Sequence, residues 1–240
     1  MHEIAVLIPF ANGTPWRRRA LQHVTAWYSD HLENARILIG NSPEPWCKAQ
    51  AVASALSRTN GEPIVIVADA DCLVPGLPEA VCAVRNGAPW AMPHLKVYRF
   101  GTQATERIYL GDEPGSLTGR RIWYDQDPYK GYEGGGVTVL RRDVYLDCPL
   151  DPGFVGWGQE DEAWALALNG LYGPPARGVA PLYHLWHEKP ARKTRYVGSE
   201  TSVERLRLYR EAQIHGEWKG VLAEARDLAR LSVPECKVAT

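Results

Sequence analysis

Much is missing from this 240-residue chain, and each absence narrows what it can be. No stretch approaches the roughly 18 apolar residues that a membrane-spanning helix needs. Met1-His2-Glu3 puts an acid where a secretory leader wants positive charge, and the apolar run from Ile4 to Phe10 is too short for one. The expected location is therefore the cytoplasm, with the sequon Asn12-Gly13-Thr14 unused. Basic residues are not in excess: the formal net charge is −1 and no basic tail compensates, which argues against a nucleic-acid partner. Cys47, Cys72, Cys82, Cys148 and Cys236 include no C-x-x-C pair, so a zinc or redox motif is absent and reduced thiols are expected. No G-x-G-x-x-G follows the first apolar run and no P-loop occurs, which excludes phosphate cradles of those two kinds. There is also no linker, internal repeat, coiled coil or low-complexity segment.

What remains is ordinary for a globular protein, 45% hydrophobic and 23% charged, and long enough for one large α/β domain. Ile4 to Phe10 reads as a buried strand halted by Pro9. Thr14 and Pro15 then open a helix with Leu21, Val24 and Tyr28 on one face. Ala35 to Gly40 is a second strand; Ala49, Val52, Ala53 and Leu56 stripe a second helix that Asn60-Gly61 ends. The third strand is Ile64-Val65-Ile66-Val67-Ala68, broken off by Asp69-Ala70-Asp71. This alternation is the half-Rossmann pattern that builds a parallel sheet.

The carboxyl end of such a strand is where open α/β sheets bind ligands. If strand geometry persists, Asp69 and Asp71 share a face, and two carboxylates there need a neutralising cation. A pair of turn-forming aspartates is the competing reading. Further on, Leu77 to Asn86 looks helical and Trp90-Ala91-Met92-Pro93 a short strand. The stretch from Gly111 to Gly131 has no sustained periodicity and suits a functional lid or a disordered segment. Gly134-Gly135-Gly136 precedes the strand Val137-Thr138-Val139-Leu140 and allows either a close backbone approach or a simple bulge. Gly156-Trp157-Gly158-Gln159-Glu160-Asp161-Glu162 opens a helix; its acids either cap that helix or exceed what capping needs. Tyr183-His184-Leu185-Trp186-His187-Glu188 ends a late strand with two histidines, structural or metal-binding. From Thr201, helical stripes run to the carboxyl end.

The order of these parts resembles the GT-A glycosyltransferases related to the β-1,4-galactosyltransferases and the bacterial chondroitin polymerases. Asp69-Ala70-Asp71 looks like their Asp-x-Asp motif, Gly134-Gly135-Gly136-Val137 their Gly-Gly strand, Gly156 to Asp161 their Trp-Gly-x-Glu-Asp motif, and His187-Glu188-Lys189-Pro190 their late metal-binding histidine. The resemblance spans residues 4 to about 190. It implies a GT-A, Rossmann-like and mostly parallel central sheet flanked by helices. Residues 1–198 would form the nucleotide-sugar transferase domain, and 199–240 a helical extension packed on it.

It also implies a role for each landmark residue. Asp71 and His187 would ligate Mn²⁺ or Mg²⁺, while His184, where galactosyltransferases carry methionine, either joins them or packs. Asp69 would contact the donor ribose or approach the metal through water. Pro9, Gly135, Gly136 and Trp157 would line the donor site. Asp161 would be the general base and Glu160 would orient hydroxyls. The implied activity is metal-dependent, inverting transfer from a nucleotide-sugar donor, a UDP-sugar first, to a glycan, protein or small-molecule hydroxyl. A retaining enzyme resembling the polypeptide N-acetylgalactosaminyltransferases and a non-catalytic carbohydrate-binding protein are the alternatives.

Overall fold

The apolar run at the amino end forms β1 (Ile4–Pro9), buried along its whole length. Ile4, Val6 and Ile8 face one core, Ala5 and Leu7 another, as in a strand covered on both sides. The computed structural model describes residues 2–11, 13–156, 158–188 and 200–232. Helix α1 (Pro15–His31) begins where Thr14 accepts the Arg17 N–H, and it buries Ala20, Val24 and Tyr28. β2 (Ala35–Gly40), α2 (Lys48–Leu56) and β3 (Ile64–Ala68) complete the expected alternation, with β1 parallel to both β2 and β3.

Beyond β3 lie β4 (Cys72–Leu73), α3 (Leu77–Arg85), β5 (Trp90–Arg99) and α4 (Thr102–Tyr109). Then come β6 (Tyr129–Lys130), β7 (Val137–Arg141), α5 (Arg142–Asp147), α6 (Glu160–Tyr172) and β8 (Ala176–His184). Helices α7 (Glu200–His215), α8 (Trp218–Val221) and α9 (Ala223–Ser232) follow. The described strands make one sheet ordered β2-β1-β3-β7-β5-β8-β4, with β6 paired to β5.

The α/β class and the helix-flanked sheet are as the sequence implies, but the sheet is mixed rather than mostly parallel. β7 runs antiparallel to both of its neighbours, and β4 and β6 are antiparallel to theirs. This reversal has a positional consequence. Val137 pairs with Ala68, so the start of β7, where the three glycines lie, sits beside the carboxyl end of β3. β5 and β8 run parallel, Arg99 opposite His184, and end at that same edge.

The stretch from Gly111 to Gly131 is docked on the fold, and its end, Tyr129 to Gly131, lines a cleft. Leu117 is buried, Tyr124 stacks on Phe100 at 6.2 Å between centroids, and the Gly101 and Asp125 N–H groups bond the Trp123 and Arg99 carbonyls at 2.8 and 2.9 Å. Its aromatics act as anchors, which is why they carry no periodicity. β5 likewise runs ten residues, well past Pro93, with β6 laid along it.

On one face of the sheet α1, α3 and α4 cover the core that includes Ile66 and Phe100. On the other, α2, α5 and α6 pack with Tyr209, Trp218 and Leu222 of the last helices. No helix among the described residues is long and apolar enough to cross a membrane.

Candidate active site

β3 ends at Ala68, and the two aspartates beyond it do not share a partner. The Asp69 N–H bonds the Gly136 carbonyl at 2.8 Å, and its carboxylate turns into the cleft. Asp71 is held differently. Its own carbonyl accepts the Leu185 N–H at 2.8 Å, while Cys72 pairs with His184 across β4 and β8. That short antiparallel ladder brings together residues more than a hundred positions apart. His184 Nε2 lies 3.6 Å from Asp71 Oδ1, and His187 Nε2 3.1 Å from Asp71 Oδ2. One ligand atom from each of the three lies within 4.8 Å of the others.

The hydrogen bonding around this trio tells what it can hold. His187 Nδ1 donates to the Glu188 carbonyl at 2.9 Å, which leaves the Nε2 lone pair aimed at a carboxylate oxygen. Two acceptors that close require a proton or a metal ion between them. Without a metal, burial opposes the imidazolium, but the Asp71 carboxylate outweighs it and raises the His187 pKa. Burial also opposes the Asp71 carboxylate, yet His184 and His187 hold it below the usual carboxylate range. His184 is different: burial lowers its pKa, and Arg99 Nη1 donates to its Nε2 at 3.2 Å, so that nitrogen is an acceptor. One carboxylate and two imidazoles are a donor set for a transition-type divalent cation rather than calcium. His184 can contribute only when Arg99 releases it.

The second feature was not read from the sequence. Lys48, the first residue of α2, is 7% exposed, and its Nζ lies 2.8 Å from Asp161 Oδ1 and 2.9 Å from Asp69 Oδ1. Burial alone would discharge this amine; Asp161, Asp69 and Glu160 outweigh burial and hold its pKa well above the lysine norm. Asp161 is pushed the other way, up to about 7, by burial first and then by the Glu160 and Asp69 carboxylates, against the pull of Lys48. A lone lysine after Trp46-Cys47 matches no motif, so only the fold reveals it.

Asp161 is presented by an unusual helix start. Gln159 precedes α6 in the left-handed region at φ 71°, and a Cβ on Gly134 (φ 77°) would collide with the Asp161 carbonyl oxygen. The glycines are therefore a close approach of backbone to helix, and Gly135 and Gly136 line the cleft. Glu160 is buried and does not line it; its Oε2 accepts the Gly158 N–H at 2.8 Å, which ties the helix start to the loop before it. Pro9 is buried at the end of β1, outside the cleft wall. Trp157, Lys189 and Pro190 lie outside the described residues.

The cleft has a volume of about 920 Å³, within the range of small-molecule sites. Asp69, Arg99, His184, Asp161 and Arg177 are among the residues that line it.

No protein-family model matches the chain, and neither does any curated protein. Solved structures do. A glucosyl-3-phosphoglycerate synthase from Mycobacterium tuberculosis, solved with Mg²⁺ and UDP, aligns over 88% of this chain and 79% of its own at 15% identity and a TM-score of 0.50. A Drosophila β-1,4-galactosyltransferase 7 mutant, solved with manganese, UDP-Gal and xylobiose, aligns over 84% and 79% at 13% identity and a TM-score of 0.48. At such identities the likeness to the synthase is one of architecture, and that architecture is the GT-A fold.

Proposed function

We propose that this chain is a metal-dependent glycosyltransferase that moves a sugar from a nucleotide-sugar donor, a UDP-sugar first, to a hydroxyl acceptor with inversion. The observation that carries the proposal is a single cleft edged by two kinds of group. His184, one of the three converging donors Asp71, His184 and His187, lines it, and so does Asp161, a partly buried carboxylate held near neutral pKa. The synthase of the same fold was solved with Mg²⁺ and UDP, in keeping with a site for a divalent cation and a diphosphate.

Asp71 and His187 would hold the cation, with His184 as a third ligand once Arg99 turns away. Bound there, a divalent ion supplies Lewis acidity that stabilises charge on a diphosphate leaving group. The rest is the work of the chain's own residues. Asp69 carries a carboxylate at the donor side for a ribose hydroxyl, and the Gly135 and Gly136 backbone lets a sugar lie close. Asp161 accepts the acceptor hydroxyl proton while that oxygen's electron pair forms the bond to the anomeric carbon. The bond from that carbon to the diphosphate oxygen breaks, and its pair leaves with the phosphate. Attack from the face opposite the leaving group inverts the centre. A base whose pKa lies near the working pH is matched to this task.

Thermal-shift measurements with UDP-sugars, with and without Mn²⁺, test the reading. A ligand at 100 times its Kd stabilises by about 2.7 kcal/mol, so a metal-dependent rise in Tm is expected, and it should vanish in Asp71→Asn. No shift with any nucleotide sugar in the presence of Mn²⁺ would rule the reading out. The anomeric configuration of the product, read by proton NMR, checks inversion.

A further inference from the structure

Asp161 lines the cleft, and its two oxygens are differently placed. Oδ1 is taken by the Lys48 ammonium, while Oδ2 faces the Gly135 backbone, 3.5 Å from where a Cβ would stand. The same ammonium holds Oδ1 of Asp69. With both carboxylates bound and 7% of the residue exposed, Lys48 has little capacity left to meet a diphosphate directly. Its position at the first turn of α2 is fixed by a helix whose Ala49, Val52 and Leu56 are buried in the core. Lys48 is thus a fixed post that joins Asp69, beyond the end of β3, to Asp161, at the start of α6.

From this geometry we infer that Lys48 is the positioning residue of the transfer reaction, clamping Oδ1 of Asp161 so that Oδ2 meets the acceptor hydroxyl, and joining the base to donor-side Asp69. The inference rests on the reading of Asp161 as the general base. Lys48 would act through Asp161, keeping it ionised and oriented beside Asp69 and Glu160, the other charged groups that face it from the end of β3 and from α6. As the proton arrives on Asp161, the ammonium still offsets Asp69, so the charge of the donor side changes little during the step. A lysine that only stabilised the fold would be indifferent to all of this.

The test uses the full chain and Lys48→Met, Lys48→Gln and Lys48→Arg variants. Probes are UDP with Mn²⁺ for donor-side affinity, release of UDP from UDP-glucose and UDP-galactose for turnover, and ¹³C NMR titration of the Asp161 carboxyl for its protonation. Lys48→Met should keep the UDP Kd within about threefold of the wild type while kcat falls about 50-fold or more. Its Asp161 midpoint should move about one pH unit higher, since a cationic neighbour is lost. Lys48→Arg should restore at least about a tenth of wild-type kcat, because it keeps the charge at altered reach. If Lys48→Met does not fold, Lys48→Gln carries the same comparison. An unmoved Asp161 midpoint, or equal losses of UDP affinity and turnover, would overturn the inference. A wild-type chain that binds no UDP with Mn²⁺ would instead sink the transferase reading, and the carboxyl titration, which needs no donor, would judge Lys48 by itself.

Discussion

Asp161 carries a pKa of about 7 because burial and two acidic neighbours work against its charge, and only Lys48 works for it. Two consequences follow at the residue scale. If Asp161 is the base, it must be ionised to act, so turnover should rise as pH climbs through about 7 and be lost below it, with Asp161→Asn about 100-fold or more slower at pH 8 and the gap closing as pH falls. A pH–rate profile with its acid limb near pH 5 or lower would contradict that. The same shift has a stability signature of opposite sign to an ordinary salt-bridged acid. From about pH 4 to about pH 7 the unfolded chain gives up this proton while the folded chain keeps it, so the group's contribution to stability falls as pH rises. Asp161→Asn should therefore raise Tm at pH 8 and leave it nearly unchanged at pH 4. Of these residues Asp71, His187 and Asp161 were legible, since each stands in a motif or at the end of an apolar run. Lys48 and Arg99 were not. Their importance comes from which distant side chains they touch, and a single basic residue in a sequence says nothing about that.

Gly134 shows how an element can serve a neighbouring one. It enters β7 at φ 77°, and the carbonyl oxygen of Asp161, in the first turn of α6, occupies the space a side chain would need. Gly134→Ala should cost about 1–3 kcal/mol from backbone strain, with further loss from the clash. Because that clash falls on the helix turn that presents Asp161, kcat should drop as well. Urea unfolding and steady-state kinetics on the same variant check both, and wild-type stability in Gly134→Ala would refute the close approach. The glycine triplet is legible in the sequence as either a bulge or a close approach, and the Asp161 carbonyl packed against Gly134 selects the latter. β5 was read short because Pro93 interrupts it and Leu95 and Lys96 are exposed, so its pattern lacks the continuous burial of β1 and β3. The docked stretch beside it gave no pattern at all, since its contacts are single anchors rather than a repeating face.

The mixed sheet belongs to the whole molecule. An antiparallel strand inserted between two that run the other way depends on how a long connection returns, and local periodicity carries no trace of it. The last helices raise the same question of integration. Asp151 is 5% exposed and accepts the Gly153 N–H at 2.8 Å, Arg205 Nε at 2.5 Å and the Tyr209 hydroxyl at 2.9 Å. It thereby fastens α7 to the loop between α5 and α6. Tyr209, Trp218 and Leu222 share one core with Val52 of α2 and Trp164 of α6, the helices that carry Lys48 and Asp161. Removing one member of a buried charged network leaves the others uncompensated, so Asp151→Ala should cost about 3–5 kcal/mol. If α7 to α9 are integral to that core, the loss should appear as one urea transition moved to lower denaturant with unchanged slope, followed alike by tryptophan fluorescence and far-UV circular dichroism. A separate early transition, with UDP and Mn²⁺ binding intact after it, would mean that the carboxyl-terminal helices ride on the catalytic fold without supporting it.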